Sequence, residues 1–306
     1  MPRAAFPVVV FVTLGLAGSF GLMVLMMQIQ PGFMGMAHFT EHHHRIHDLS
    51  FSFLLGTALV GLLAQVRAPS KNVAGQLMAL IPFVGLTLSV ALTNVAVLSI
   101  PWLVLGAFTL LAATLHPTGR DLVRSLSASR MNFVMLALVA ITAVPLVALA
   151  VTNIGLQRSA ADDHAALGHY GFMAAFSLTV IGVALLATLR PNGWRIAAWV
   201  AGLLPALLGL ASLVFADVAS SLDLVWALAA IGWGVSFIAA AELSRRLQPI
   251  DGTQPAGPSS PVTGDAGAPR WAYVPGIIVI AVVLLFVVMH LTGGGPGLHA
   301  PPAGGH

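Results

Sequence analysis

AAFPVVVFVTLGLAGSFGLMVLMMQ, residues 4–28, is an unbroken apolar run that outlasts the thickness of a bilayer. A helix needs roughly 20 such residues to cross the hydrocarbon core, because each adds about 1.5 Å of rise. The hydrophobic region of a signal peptide spans only about 7–15 residues, and no small-x-small cleavage motif follows this run. The stretch therefore reads as a retained first membrane span, with a cleaved signal peptide as the alternative.

Eight further apolar segments follow: residues 49–66, 74–93, 97–115, 131–152, 168–189, 196–215, 222–243 and 271–290. The third and fourth are nearly continuous. Thr93, Asn94 and Pro101 divide them, because a polar pair and a helix-breaking proline favour a tight turn. The composition agrees: 58% of the 306 residues are hydrophobic and only 8% are charged, with a mean hydropathy of +0.94. A soluble domain carries about 25% charged residues. The expected fold is all-α, a polytopic membrane bundle of about nine helices whose first partner is the lipid bilayer. Nothing in the charge pattern suggests a nucleic-acid binder.

The basic residues orient the spans, since short loops rich in Lys and Arg stay cytoplasmic. With the N-terminus inside, Arg3, Arg67, Lys71, Arg120, Arg124, Arg130, Arg190, Arg195, Arg245, Arg246 and Arg270 all fall inside, and only Arg45 and Arg158 fall outside. A missed or invented span would invert every later loop and spoil that asymmetry. The expectation is a multi-pass protein of the plasma or cytoplasmic membrane, with a cytoplasmic N-terminus and an extracytoplasmic C-terminus.

Scarcer residue types recur at an offset near 122. His42 and His47 pair with His164 and His169, Thr57 with Thr179, and Pro69 with Pro191. After single-residue gaps, Pro82 pairs with Pro205, Ser89 with Ser212, Asn94 with Asp217 and Trp102 with Trp226. This pattern predicts two tandem four-helix units, residues 1–130 and 131–247, related by an axis along the membrane normal. Residues 248–270, rich in Pro, Gly, Ser and Thr, read as a flexible cytoplasmic linker. It joins a ninth span at 271–291 to the core, and a disordered extracytoplasmic tail follows at 292–306.

Under this topology ten of the eleven histidines lie outside, His116 being the exception. MGMAHFTEHHHRIHD, residues 34–48, leads into the second span, and DDHAALGHY, residues 162–170, leads into the sixth. On a helix, His38 with His42 and His43 with His47 would share faces, as metal-binding imidazoles require. His42 with His47 and His164 with His169 are spaced by five, about 140° apart on one regular helix. The first histidine of each pair is therefore expected in the loop before its span, with Asp162 and Asp163 capping the sixth span. The sequence thus predicts a metal site with His42, His47, His164 and His169 as core ligands. His38, His43, Asp48, Asp163, Met34 and Met36 are further candidates, and Glu41 and Asp162 are auxiliary acceptors that could fix an imidazole tautomer. Solvated polar loops are the plainer account of the same histidines, and the one expected for His299 and His306 in the tail.

The chain has no cysteine, which removes disulfides, thiolate metal sites and cysteine nucleophiles from consideration. Five methionines, Met23, Met26, Met27, Met34 and Met36, gather at the outer end of the first span and its loop. Thioether with imidazole favours copper over zinc. Glu242 is expected to pair with Arg245 or Arg246 at helical spacing. The leading functional expectation is copper or zinc capture at the outer face, feeding an extracytoplasmic metalloprotein or a membrane complex. A membrane oxidoreductase with a His-ligated copper or haem centre is the alternative. A structural subunit of a larger assembly is the third.

Overall fold

A computed structural model describes residues 2–29, 42–93, 100–119, 121–126 and 131–246. Within them the chain is all-helical: α1 (Pro2–Ile29), α2 (Arg45–Leu63), α3 (Val73–Thr93), α4 (Ile100–Thr114), α5 (Asp121–Arg124), α6 (Phe133–Ser159), α7 (Asp163–Ala166), α8 (His169–Leu189), α9 (Trp194–Val214) and α10 (Leu224–Arg246). Single 3-10 turns at His42–His44 and Pro69–Lys71 precede α2 and α3.

Seven helices, α1, α2, α3, α6, α8, α9 and α10, are long and apolar enough to cross a membrane. Their outer surface is apolar as well: Ile100, Phe133, Val214, Val8 and Val151 are all more than 60% exposed. A water-soluble monomer does not display large apolar side chains on that scale. The chain is therefore a multi-pass membrane protein. The fourth expected span is helical over 15 residues, Ile100–Thr114. That is about 22 Å of rise, short of the hydrocarbon thickness. The ninth expected span, its linker and the tail lie outside the described residues.

Helix α8 is the central post, with 72% of its most apolar window buried, against 22% for α1 at the periphery. It packs on α2, α3, α6 and α9, while α9 also packs on α2 and α10. Small residues permit the closest crossings. A methyl group on Gly61 of α2 would meet the Gly75 carbonyl oxygen of α3 at 2.5 Å, and one on Gly202 of α9 would meet the Gly234 carbonyl oxygen of α10 at 2.6 Å. Bare backbone against bare backbone is the usual means of tight helix association in lipid, where van der Waals contact replaces the hydrophobic drive.

The bundle has two distinct ends. At one, the Ala74 amide donates to Asn192 O at 2.9 Å and the Asn132 amide to Thr188 O at 3.0 Å, tying three interhelical connections together. Arg67, Lys71, Arg190, Arg195, Arg245 and Arg246 cluster there in sequence. At the other end, the start of α2, the short α7 and the start of α8 meet.

Candidate metal centre

The histidine end is assembled by local capping. Asp162 N-caps α7, its Oδ1 accepting from the Ala165 amide at 2.8 Å. Its Oδ2 accepts from the Tyr170 hydroxyl at 2.7 Å. Burial pushes the Asp162 carboxyl up, but those two hydrogen bonds outweigh it and hold the group below its ordinary range. Asp162 thus caps a separate one-turn helix, not the sixth span as the sequence pattern predicted. That span starts at His169, after Gly168 in the left-handed region at φ 75°. Gln157 of α6 fastens both pieces: its Nε2 donates to Ala165 O at 2.7 Å, and its Oε1 accepts from the Gly171 amide at 2.9 Å.

These connections carry His164 on α7 and His169 on α8 towards α2. The ring centroids of His44 and His164 lie 4.6 Å apart, those of His44 and His169 4.8 Å, and those of His164 and His169 5.8 Å. One ring nitrogen from each of these three buried residues lies within 4.8 Å of the other two. His44 Nδ1 and His169 Nδ1 are 3.1 Å apart. Two nitrogens bonded to one tetrahedral ion at about 2.0–2.1 Å would stand roughly 3.3 Å apart. The pair is therefore close to the separation that an ion imposes. His164 Nε2 donates to the His43 carbonyl oxygen at 3.1 Å, which leaves His164 Nδ1 as its lone-pair nitrogen.

His47, wholly buried, stacks on His169 at 5.2 Å between centroids and lies 4.7 Å from His164. Its Nε2 is 3.0 Å from Ser220 Oγ, and its buried Nδ1 has no hydrogen-bond partner. Ser220 lies between α9 and α10 in the left-handed region at φ 64°, unusual for a residue other than glycine. A strained, buried serine that holds one histidine nitrogen is the arrangement expected of a supporting residue.

Of the residues the sequence pattern singled out, His47, His164 and His169 are thus brought together. His43 is exposed; its ring lies against His44 at 4.0 Å and its carbonyl braces His164. Asp48 is buried in the first turn of α2, and Asp163 is exposed. Neither joins the three-histidine group among the described residues. Met34, Met36, His38, Glu41 and the side chain of His42 lie outside the described residues.

Sequence reasoning missed His44, whose signal was its three-residue spacing from His47, which also places two side chains on one helix face. It also missed Met173 of α8. This buried residue follows His169 by one turn, and its Sδ lies 3.0 Å from Ser50 Oγ, one turn beyond His47. The Ser50 hydroxyl has a single proton and also lies 2.8 Å from Ile46 O, the stronger acceptor. The contact with Ser50 occupies at most one of the two thioether lone pairs.

Comparison with family models, curated proteins and solved structures gives no match.

Proposed function

We propose that this membrane protein holds a transition-metal ion at the extracytoplasmic end of its helices, with His44, His164 and His169 as ligands and His47 Nδ1 as the fourth donor. The observation that carries this reading is the approach of one ring nitrogen from each of three buried imidazoles to within 4.8 Å of the other two. Neutral imidazoles held this close can turn their lone pairs on one cation, and the free energy of binding it adds to that of folding. Rings at these separations enclose the space of an ion, not of a porphyrin, so a metal ion is favoured over haem.

Copper is the preferred metal. Support comes from the buried thioether of Met173, one turn past His169 on α8, and from the absence of thiols, because thioether and imidazole together suit Cu(I). Capture and delivery to an extracytoplasmic metalloprotein or membrane complex is the role these donors fit. Transport finds less support, because few polar residues line the spans.

The topology belongs to the same proposal: N-terminus inside, histidine end outside, and two related four-helix units. For the duplication, support comes from His47 and His169, each in the first turn of its unit's second span, and from Pro82 inside α3 and Pro205 inside α9. The leaning of α3 on α8 and of α9 on α2 adds to it.

Metal analysis of the purified full chain with a visible spectrum tests the reading. The expected result is stoichiometric copper or zinc without a Soret band. The metal should be lost in the His44→Ala/His169→Ala double variant and kept in His116→Ala. Full occupancy in the double variant would remove the assignment.

A further inference from the structure

At the end opposite the histidines, Arg190 stands out. It follows the last residue of α8, in the left-handed region at φ 55°, one of two described non-glycine residues with positive φ. Its guanidinium lies over the Trp194 ring at 4.6 Å, and its Nε and Nη2 are enclosed without a hydrogen-bond partner. A charged donor left unsatisfied in a protein interior costs about 1–3 kcal/mol or more, so its presence calls for an acceptor.

The protein does not supply one among the described residues. The two carboxylates at this end among the described residues are already engaged: Asp121 pairs with Arg124 at 3.4 Å, and Glu242 with Arg195 at 2.6 Å and Arg245 at 3.4 Å. Desolvation lowers the pKa of Arg190, as expected of a half-buried cation with no counter-charge. The surroundings add positive charge and rigidity. The Asn192 carbonyl is held by the Ala74 amide, and Gly193 at φ 81° packs so closely on Asn72 that an added Cβ would stand 2.8 Å from its Cα. The connection from α8 to α9 is thereby clamped to the one that carries Lys71.

We infer that Arg190 is the anchor of a phosphate-binding site at the membrane boundary, and that its ligand is the headgroup phosphate of an anionic phospholipid. Guanidinium matches phosphate geometrically, because its N–H groups form a planar fork. The position favours lipid over a free anion. Arg190 immediately follows a membrane-spanning helix, and Trp194, on which it rests, begins the next one, at the depth where aromatic residues meet headgroups. Acyl chains would lie along the apolar outer face of the bundle, and the surrounding basic residues would add the attraction that anionic leaflets exert on such surfaces. The inference does not depend on the metal centre.

Native mass spectrometry of the full chain in detergent, titrated with phosphatidylglycerol, phosphatidylcholine or inorganic phosphate, tests it. The expected result is retention of phosphatidylglycerol in preference to phosphatidylcholine. Arg190→Gln should weaken that retention about tenfold, the loss of one charge-assisted contact, and Arg190→Lys should weaken it less. Arg67→Gln, an exposed basic residue at the same end that adds only diffuse attraction, should weaken it less than about twofold. Thermal unfolding supplies the second readout, with phosphatidylglycerol raising the midpoint of the unaltered chain but not that of Arg190→Gln. If inorganic phosphate protects as well as the lipid does, the anion site stands and the lipid assignment falls. Equal retention by Arg190→Gln, or an equal loss in Arg67→Gln, overturns the site.

Discussion

His116 and His44 are both buried histidines near helix ends, and they sit in opposite circumstances. At the arginine end, each nitrogen of His116 has its own partner: Nε2 lies 3.1 Å from Gln65 Oε1, and Nδ1 lies 2.7 Å from Thr118 Oγ1 and 3.3 Å from the Thr118 amide. Gln65 in turn donates to Asn72 O at 2.9 Å, and the His116 ring packs edge-on against Phe6. Such a histidine is complete as it stands. At the other end, the rings of His44 and His47 each pack against those of both His164 and His169. Burial alone therefore does not distinguish a structural histidine from a ligand. Convergence of like groups does, because imidazoles are poor partners for each other unless they share a proton or a cation.

This contrast predicts opposite responses to substitution. The largest effect is expected at the histidine end, where His164→Ala should abolish stoichiometric metal binding. In protein stripped of metal by a chelator, the same change should cost little thermal stability, because it also relieves the crowding. His116→Ala should do the reverse. Metal content should be unchanged, while stability falls by about 1–3 kcal/mol, because Gln65 Oε1 loses its donor in a buried setting. Chelator-dependent unfolding curves of the two variants check both statements, and similar behaviour would erase the distinction.

A smaller effect is expected at Ser220. Its hydroxyl fixes the His47 ring without touching the ion, and loss of such an orienting group typically costs 10–100-fold in metal affinity. Ser220→Ala should fall at the lower end, about tenfold, in a competition titration. Unchanged affinity would mean that His47 is not part of the centre.

The smallest expected effect separates the two ends by pH. Burial lowers the pKa of His116 below its ordinary value of 6.5. The unfolded chain therefore takes up the proton first as pH falls. The contribution of His116 to stability is present above about pH 6.5 and declines below it, flattening once the folded form is protonated. A gentle loss of thermal stability on acidification should thus persist in metal-free protein and be reduced in His116→Ala. Metal affinity should decline over a similar range by a separate cause, since ligating imidazoles must be neutral.

Much of this was legible in the sequence. Long apolar runs gave the helices, because in a bilayer the backbone must satisfy its own hydrogen bonds. The turn expected at Thr93 is where α3 ends, and Pro101 lies in the first turn of α4, where proline is tolerated. His47, His164 and His169 were visible through their recurrence near 122 residues. His44 was not, because the recurrence favoured His42 and a run of three histidines does not say which one turns inward. Nor was the short α7, whose four residues carry no periodic signal; Asp162 marked its start, but the left-handed Gly168 that ends it resembled an ordinary helical position. Glu242 was read as a partner of Arg245, and it does pair with it, but the shorter contact is with Arg195, 47 positions away. Such long-range pairings follow from which helices cross, and local spacing does not encode them.

X-ray absorption at the metal edge of the purified chain reads the ligand shell itself. The proposed centre requires at least three imidazole nitrogens at about 2.0–2.1 Å from a zinc ion, or the equivalent imidazole shell around copper, with the metal and its shell both lost in His44→Ala/His169→Ala. A first shell made only of water and carboxylate oxygens, or one unchanged in that double variant, would contradict it.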